Sequence, residues 1–328
     1  MRTIFFKNAP VIRAASSVAG PKESAGSIKD YIDVKLEDDM FGEKTFEKAE
    51  CKILNRAIEE IINKSKTCFN DIGAIISGDL LNQIIASTFS ARNYKTAYLG
   101  VYNACSTFTE AITIGATLVN GGHLDNVICA TSSHFSSAER QYRYPLELGS
   151  TRPPLSQWTV TGAGACMLSK KGNGVKVTSA TLGRIIDYGV KDVNNMGAAM
   201  APAAADTIIT HFNETGLSPS DYDLIVSGDL GTLGSRILKD LLWEKGFDIE
   251  RQHVDCGELV YNICEEEYQG GSGAGCSSLV FSSYLYSLMK EKKINNLMLV
   301  ATGALLSSLS SQQGESIPGI AHAIVLEN

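Results

Sequence analysis

Cys105 is the side chain best placed to do chemistry in this chain of 328 residues. It follows the strand-like run YLGVY and precedes a helical run beginning near Ser106, so its sulfur falls at a helix N-terminus. Unpaired backbone N–H groups and the helix dipole favour negative charge there, which suits a thiolate or the carboxylate of a bound ligand. A small buried thiol at a tight turn fits the same position. Asp79 and Asp229 each stand in a Ser-Gly-Asp-Leu phrase. If the two carboxylates face one another, repulsion makes one take up a proton, pair with a base or hold a cation. The alternative is that each caps the helix that follows it.

Two of the five histidines fall where a pocket is expected: His134 ends an apolar strand and His322 interrupts the last one, GIAHAIVL. Either also reads as a hydrogen-bonded strand-edge residue. His123, His211 and His253 read as surface residues. The loop ATSSHFSSAERQYRYP offers Arg140 and Arg143 with two tyrosines, Tyr142 and Tyr144, and guanidinium forks match carboxylates. Ala198, Ala199 and Met200 of MGAAMAPAAAD either floor an apolar slot or pack as core.

An internal repeat fixes the elements that must position these residues. AIISGDLLNQ (74–83) returns as LIVSGDLGTL (224–233), and the stretch 103–134 parallels 273–307 with no gap between Cys105 and Cys276 or between Thr131 and Thr302. VICAT and LMLVAT are continuous apolar runs, as in strands covered on both faces, and they alternate with helical patterns. The expected fold is therefore α/β, built from duplicated halves at 1–170 and 171–328. LSKKGNGVKV (168–177) forms the seam between them, and the turn-rich residues before about 45 wrap the surface.

Composition excludes several classes. A 44% hydrophobic content supports a large core, and a net charge of -7 without basic clusters gives no footprint for nucleic acid. Eight irregularly spaced cysteines, with no C-x-x-C pair and no secretory leader at the N-terminus, read as reduced thiols in a cytosol-like compartment. No run is long and apolar enough to span a bilayer, so membrane association is expected only through a partner.

YNACSTFTEA, TVTGAGACMLS, MAPAAADTII and YQGGSGAG occur in the order found in thiolases and type III ketoacyl-ACP synthases, which the chain resembles over nearly its whole length. SGDLLNQ, ATSSHFSSAERQYRYP, MGAAMAPAAADTI and VATGALLS are similar, more closely still, to the stage V sporulation AD family of endospore formers. The resemblance implies a thiolase-like fold in α/β/α/β/α layers, a homodimer, and Cys105 at the position of the acyl-carrying nucleophile. It also implies binding of dipicolinate (pyridine-2,6-dicarboxylate), with or without calcium, and no other cofactor or metal. The membrane proteins of the spore dipicolinate channel are the implied partners, with the chain held peripherally on the cytoplasmic side of the spore inner membrane. The sequence departs from the condensing enzymes at two of three chemical positions. Where they carry His-Gln-Ala-Asn, this chain has Ser227-Gly228-Asp229-Leu230, and an ionised Asp cannot donate to a developing oxyanion. Where they carry Asn after a Tyr-Gly turn, it has Gly270-Gly271-Ser272. These departures point to a binding protein whose pocket is lined by Cys105, Asp79, Asp229, His134, Arg140, Ala198, Ala199, Met200, Gly271, Ser272 and His322. An acyltransferase using Cys105 with His134 or His322 as base is the competing reading.

Overall fold

A computed structural model describes residues 1–143, 146, 152–262 and 268–328; Tyr144 and Cys264 of the sequence reading lie outside them. The N-terminal half runs β1 (Thr3–Phe5), β2 (Val11–Ala19), β3 (Val34–Lys35), α1 (Phe46–Ser65), β4 (Ala74–Gly78), α2 (Ile85–Ala91), β5 (Ala97–Gly100), α3 (Thr107–Asn120), β6 (Asn126–Ser133), α4 (Phe135–Tyr142), β7 (Trp158–Thr159) and β8 (Gly162–Ser169). The C-terminal half runs β9 (Val175–Thr181), α5 (Met196–Thr215), β10 (Leu224–Ser227), α6 (Gly231–Trp243), β11 (His253–Asp255), α7 (Cys256–Val260), β12 (Gly271–Ser272), α8 (Ala274–Val280), α9 (Tyr286–Lys290), β13 (Asn296–Ala304), α10 (Ser308–Gln312) and β14 (Gly319–Glu327). A π-helical turn at Phe281–Leu285 joins α8 to α9.

The duplication is visible in the strand order. One side reads β5-β4-β6-β8-β2 and the other β11-β10-β13-β14-β9, and the sides meet where β2 pairs antiparallel with β9 at Val11–Lys176 and Ile12–Val175. Helix α3 touches β4 and β6 on one side and β13 and β14 on the other, while α8 packs on β2, β6 and β8. These two helices form the middle layer. Helix α1 covers β2, β6 and β8 from outside, and α5 covers β13 and β14, which completes five layers, α/β/α/β/α.

Position explains composition. Outer helix α1 buries a stripe of Ala49, Ile53, Leu54, Ala57, Ile58 and Ile61 at helical spacing, starts on a Thr45 cap and ends at Lys66 in the left-handed region. Middle helix α3 is buried nearly all round, and its polar residues return hydrogen bonds to their own helix, Thr113 Oγ1 to the Thr109 carbonyl at 2.7 Å among them. The expectation that residues before about 45 wrap the surface fails for Val11–Ala19, which forms the almost wholly buried strand β2 between β8 and β9. Its Ala and Ser residues read as a loop, yet small side chains are what a strand sandwiched between helical layers admits.

Candidate functional site

Strand β5 leads into a sharp turn in which Ala104 takes φ +50, a conformation uncommon for a residue with a Cβ. Thr107 Oγ1 donates to the Ala104 carbonyl at 2.6 Å and accepts from Asn103 N at 3.0 Å, which holds the turn. Cys105 follows, Ser106 stands at the N-cap of α3, and the thiol is delivered to the wall of a narrow cleft of about 40 Å³. Leu80, Tyr102, Ala138, Tyr142, Met196 and Leu306 make most of that wall apolar, with Glu139, Arg143, Thr159 and Ser272 supplying polar groups.

Asp229 and Ser272 converge on the thiol. Cys105 Sγ lies 3.8 Å from Ser272 Oγ, and that hydroxyl donates to Asp229 Oδ2 at 2.8 Å. Gly273 N donates to the same oxygen at 3.1 Å and Thr302 Oγ1 to Oδ1 at 2.7 Å. Gly228 is required beside Asp229, because a Cβ there would sit 2.8 Å from the Ala301 Cα. Burial raises the Asp229 carboxyl above its ordinary range, against the pull of these hydrogen bonds. The Cys105 thiol is pushed well above its ordinary value, first by burial and then by the Asp229 charge and hydrogen bond. A thiol so placed stays protonated at neutral pH, the reverse of an activated nucleophile.

Asp255, at the end of β11, holds the loop that carries Asp229. Its Oδ1 accepts from Leu230 N at 2.9 Å and Ser227 Oγ at 2.5 Å, and its Oδ2 accepts from Gly231 N at 3.0 Å and Glu258 N at 3.3 Å. Burial raises this carboxyl to about 7. Because Ser227 gives its only proton to Asp255, His253 Nε2 donates to Ser227 Oγ across 2.9 Å.

The other residues singled out in the sequence are distributed as follows. Asp79 is wholly buried and does not meet Asp229; it caps its own loop, accepting from Leu81 N at 2.9 Å and Ser87 N at 2.7 Å. Its electrostatic neighbour is Glu50, whose carboxyl is raised well above normal by burial and then by Asp79, so Glu50 carries the proton of this pair. His134 caps α4, with Nδ1 accepting from Ser136 N at 3.2 Å and Nε2 against the Asp39 carbonyl at 2.8 Å. His322 Nδ1 accepts from Gly183 N at 3.1 Å, and its Nε2 lies 3.2 Å from Asn103 Nδ2. Burial lowers its pKa to about 4. Neither histidine lines the cleft.

Arg140 points away, paired with Glu47 and stacked over Phe46, whereas Arg143 lines the cleft. Ala199 and Met200 sit in the core between α5 and the sheet, Ala198 lies on the first turn of α5, and it is Met196 that reaches the cleft. Gly271 presents its carbonyl to Gln157 Nε2 at 3.2 Å, and Ser272 beside it reaches the thiol. Contrary to the surface expectation, His211 and His253 are buried; His211 sits between Thr181 Oγ1 at 2.8 Å and the Tyr222 hydroxyl at 2.6 Å.

Sequence reasoning passed over Asp255, Thr302 and Glu139. Signals existed for each: Asp255 with Glu258 is a helix-capping pattern, Thr302 is the repeat mate of Thr131, and Glu139 stands four residues before Arg143 on one helical face.

The fold is that of the thiolase-like condensing enzymes. The solved 3-oxoacyl-[acyl-carrier-protein] synthase III of Aquifex aeolicus VF5 superposes with a TM-score of 0.59 at 14% identity, covering 98% of this chain and 100% of that one. Acetamide-bound OleA of Xanthomonas campestris gives 0.62 at 12% identity over 99% of this chain and 100% of its own. Residues 1–327 match the model of the stage V sporulation protein AD family, and the chain belongs to that family. The stage V sporulation protein AD of Bacillus subtilis (strain 168) is 40% identical over 326 residues, 99% of this chain and 96% of that protein.

Proposed function

We propose that the protein binds dipicolinate in the cleft at Cys105, without catalysis, during uptake of this acid into the developing spore. The observation that carries the reading is the chain from the Cys105 thiol to Ser272 Oγ, 3.8 Å away, and on to the buried Asp229 carboxyl, where the condensing enzymes need a donor to an oxyanion. Acyl transfer with His134 or His322 as base is disfavoured, because the hydrogen bonds of both rings are spent on other groups. The apolar walls suit an aromatic ring, and the first turn of α3 suits a carboxylate.

Among the described residues no helix is long and apolar enough to cross a membrane, so docking to membrane proteins of the dipicolinate channel is the proposed route to the spore inner membrane. A homodimer through edge strand β5 fits the exposed Leu99, Ile85 and Phe89 around that edge. Calcium is proposed only as a companion of the ligand. Incubation with acyl-CoA followed by intact-mass measurement, alongside calorimetric titration of dipicolinate with and without calcium, tests the function. Heat of binding with no acyl adduct is expected; a stoichiometric adduct on Cys105 would sink the binding reading.

A further inference from the structure

Among the described residues lining the cleft, Arg143 is the only cation, and it is 4% exposed. Its Nη1 lies 2.7 Å from Glu139 Oε1, one turn earlier on the helix, and donates to the Gln157 carbonyl at 3.1 Å; its Nη2 faces the Met196 sulfur at 3.8 Å. Arg152 approaches the same glutamate from the other side, with Nη1 3.2 Å from Oε2, and its guanidinium lies over the rings of Phe135 and Trp158. Hydrogen-bonding capacity is left over at this end of the cleft: Arg152 Nε and Gln157 Oε1 are buried and make no hydrogen bond, and Glu139 Oε2 is met only by the Arg152 ion pair. Glu139 and Gln157 are each 2% exposed, so bulk water does not account for the deficit. Buried polar atoms in native proteins are rarely left unpaired, and a cluster of them beside a cleft marks where a polar ligand group or its bound water belongs. A guanidinium already held by a salt bridge loses little freedom when a ligand arrives, and its planar fork matches a carboxylate.

We infer that Arg143, oriented by Glu139, is the residue that reads the charge of the ligand, taking one carboxylate of a flat aromatic dicarboxylate. The ring then lies against the apolar wall of the cleft. This assignment rests on the ligand class proposed above, and it gives the recognition role to Arg143 rather than to Arg140, which faces outward.

The test compares dipicolinate with its neutral isostere, pyridine-2,6-dicarboxamide, by calorimetry on the full chain and on Arg143→Gln, Arg143→Lys and the double variant Glu139→Gln/Arg143→Gln. The wild type should prefer the dianion. In Arg143→Gln dipicolinate affinity should fall roughly 10- to 100-fold, the worth of a charge-assisted pair, while the diamide is held as before. Arg143→Lys should recover part of the preference. The double variant removes the Glu139–Arg143 pair while Arg152 stays over the Phe135 and Trp158 rings, and it should lose the preference as well. A purely structural role would weaken both ligands equally, and that result, or a wild-type preference persisting in the two glutamine variants, overturns the assignment while leaving dipicolinate binding intact. A wild type that binds neither compound overturns the proposed function and this assignment with it.

Discussion

After β4, the Asp79 carboxylate turns back onto its own loop and accepts from Leu81 and Ser87; after β10, the Asp229 carboxylate turns forward to Ser272, Gly273 and Thr302, with Ser272 leading on to the Cys105 thiol. Both aspartates stand in the same Ser-Gly-Asp-Leu phrase at the end of equivalent strands. The difference comes from the neighbouring strand. Ser77 on β4 lies opposite Gly100 on β5, whereas Ser227 on β10 lies opposite Asp255 on β11. Gly100 has no side chain to satisfy the loop N–H groups, so Asp79 must do so itself. Asp255 satisfies those of the second loop and releases Asp229 for the cleft. One residue on an adjacent strand thus decides whether a repeated motif is scaffold or site.

The sharpest way to break this comparison is Asp255→Ala, which orphans the buried N–H groups of Leu230 and Gly231 along with the Ser227 hydroxyl. A loss of about 3–4 kcal/mol by denaturant unfolding is expected, together with loss of dipicolinate binding. A change below about 1 kcal/mol would mean that the loop does not depend on Asp255.

The paired substitutions Asp79→Asn and Asp229→Asn should separate the two roles. Asp79→Asn costs about 1–2 kcal/mol of stability, as loss of a cap does, and leaves Cys105 reactivity unchanged. Asp229→Asn removes the charge that disfavours the thiolate, so alkylation of Cys105 by iodoacetamide, followed by peptide mass mapping, should accelerate roughly tenfold per unit of pKa recovered. Equal alkylation rates in the two variants would show that Asp229 does not govern the thiol.

Cys105 itself gives a gentler test. Cys105→Ser keeps a small group at the first turn of α3 and should retain dipicolinate affinity within about tenfold, or about 1.4 kcal/mol, while Cys105→Leu should lose it. Complete loss in both would point to thiol chemistry, and no loss in either would move the ligand elsewhere.

A further effect lies outside the two loops and serves as a control for buried charge. His211, fully bonded to Thr181 and Tyr222, has its pKa lowered by burial to about 4. A base lowered in the folded state binds fewer protons there than when unfolded, so its contribution is complete above about pH 6.5 and is lost as pH falls toward 4. His211→Gln should flatten the fall in stability across that window, by at most about 1.4 kcal/mol per pH unit. An unchanged slope would show that His211 does not titrate on unfolding.

The duplication, the buried strands, the layers and the placement of Cys105 before α3 were legible in the sequence, because they rest on periodicity, apolar runs and local turn chemistry that neighbouring residues carry themselves. Asp229 and Gly271 were legible as departures at the two chemical positions. The partition between Asp79 and Asp229 was not, since it depends on what lies across the sheet from Ser77 and Ser227, contributed by strands 23 and 28 residues away in sequence. Likewise Arg140, on the last turn of α4, and Arg143, the residue that caps it, stand three residues apart, and only the packing of α4 over the cleft turns the second inward against Glu139 and leaves the first outside with Glu47. Val11–Ala19 read as surface for the same reason: small residues are ambiguous by themselves, and burial between two helical layers is settled only when the second half of the chain closes on the first.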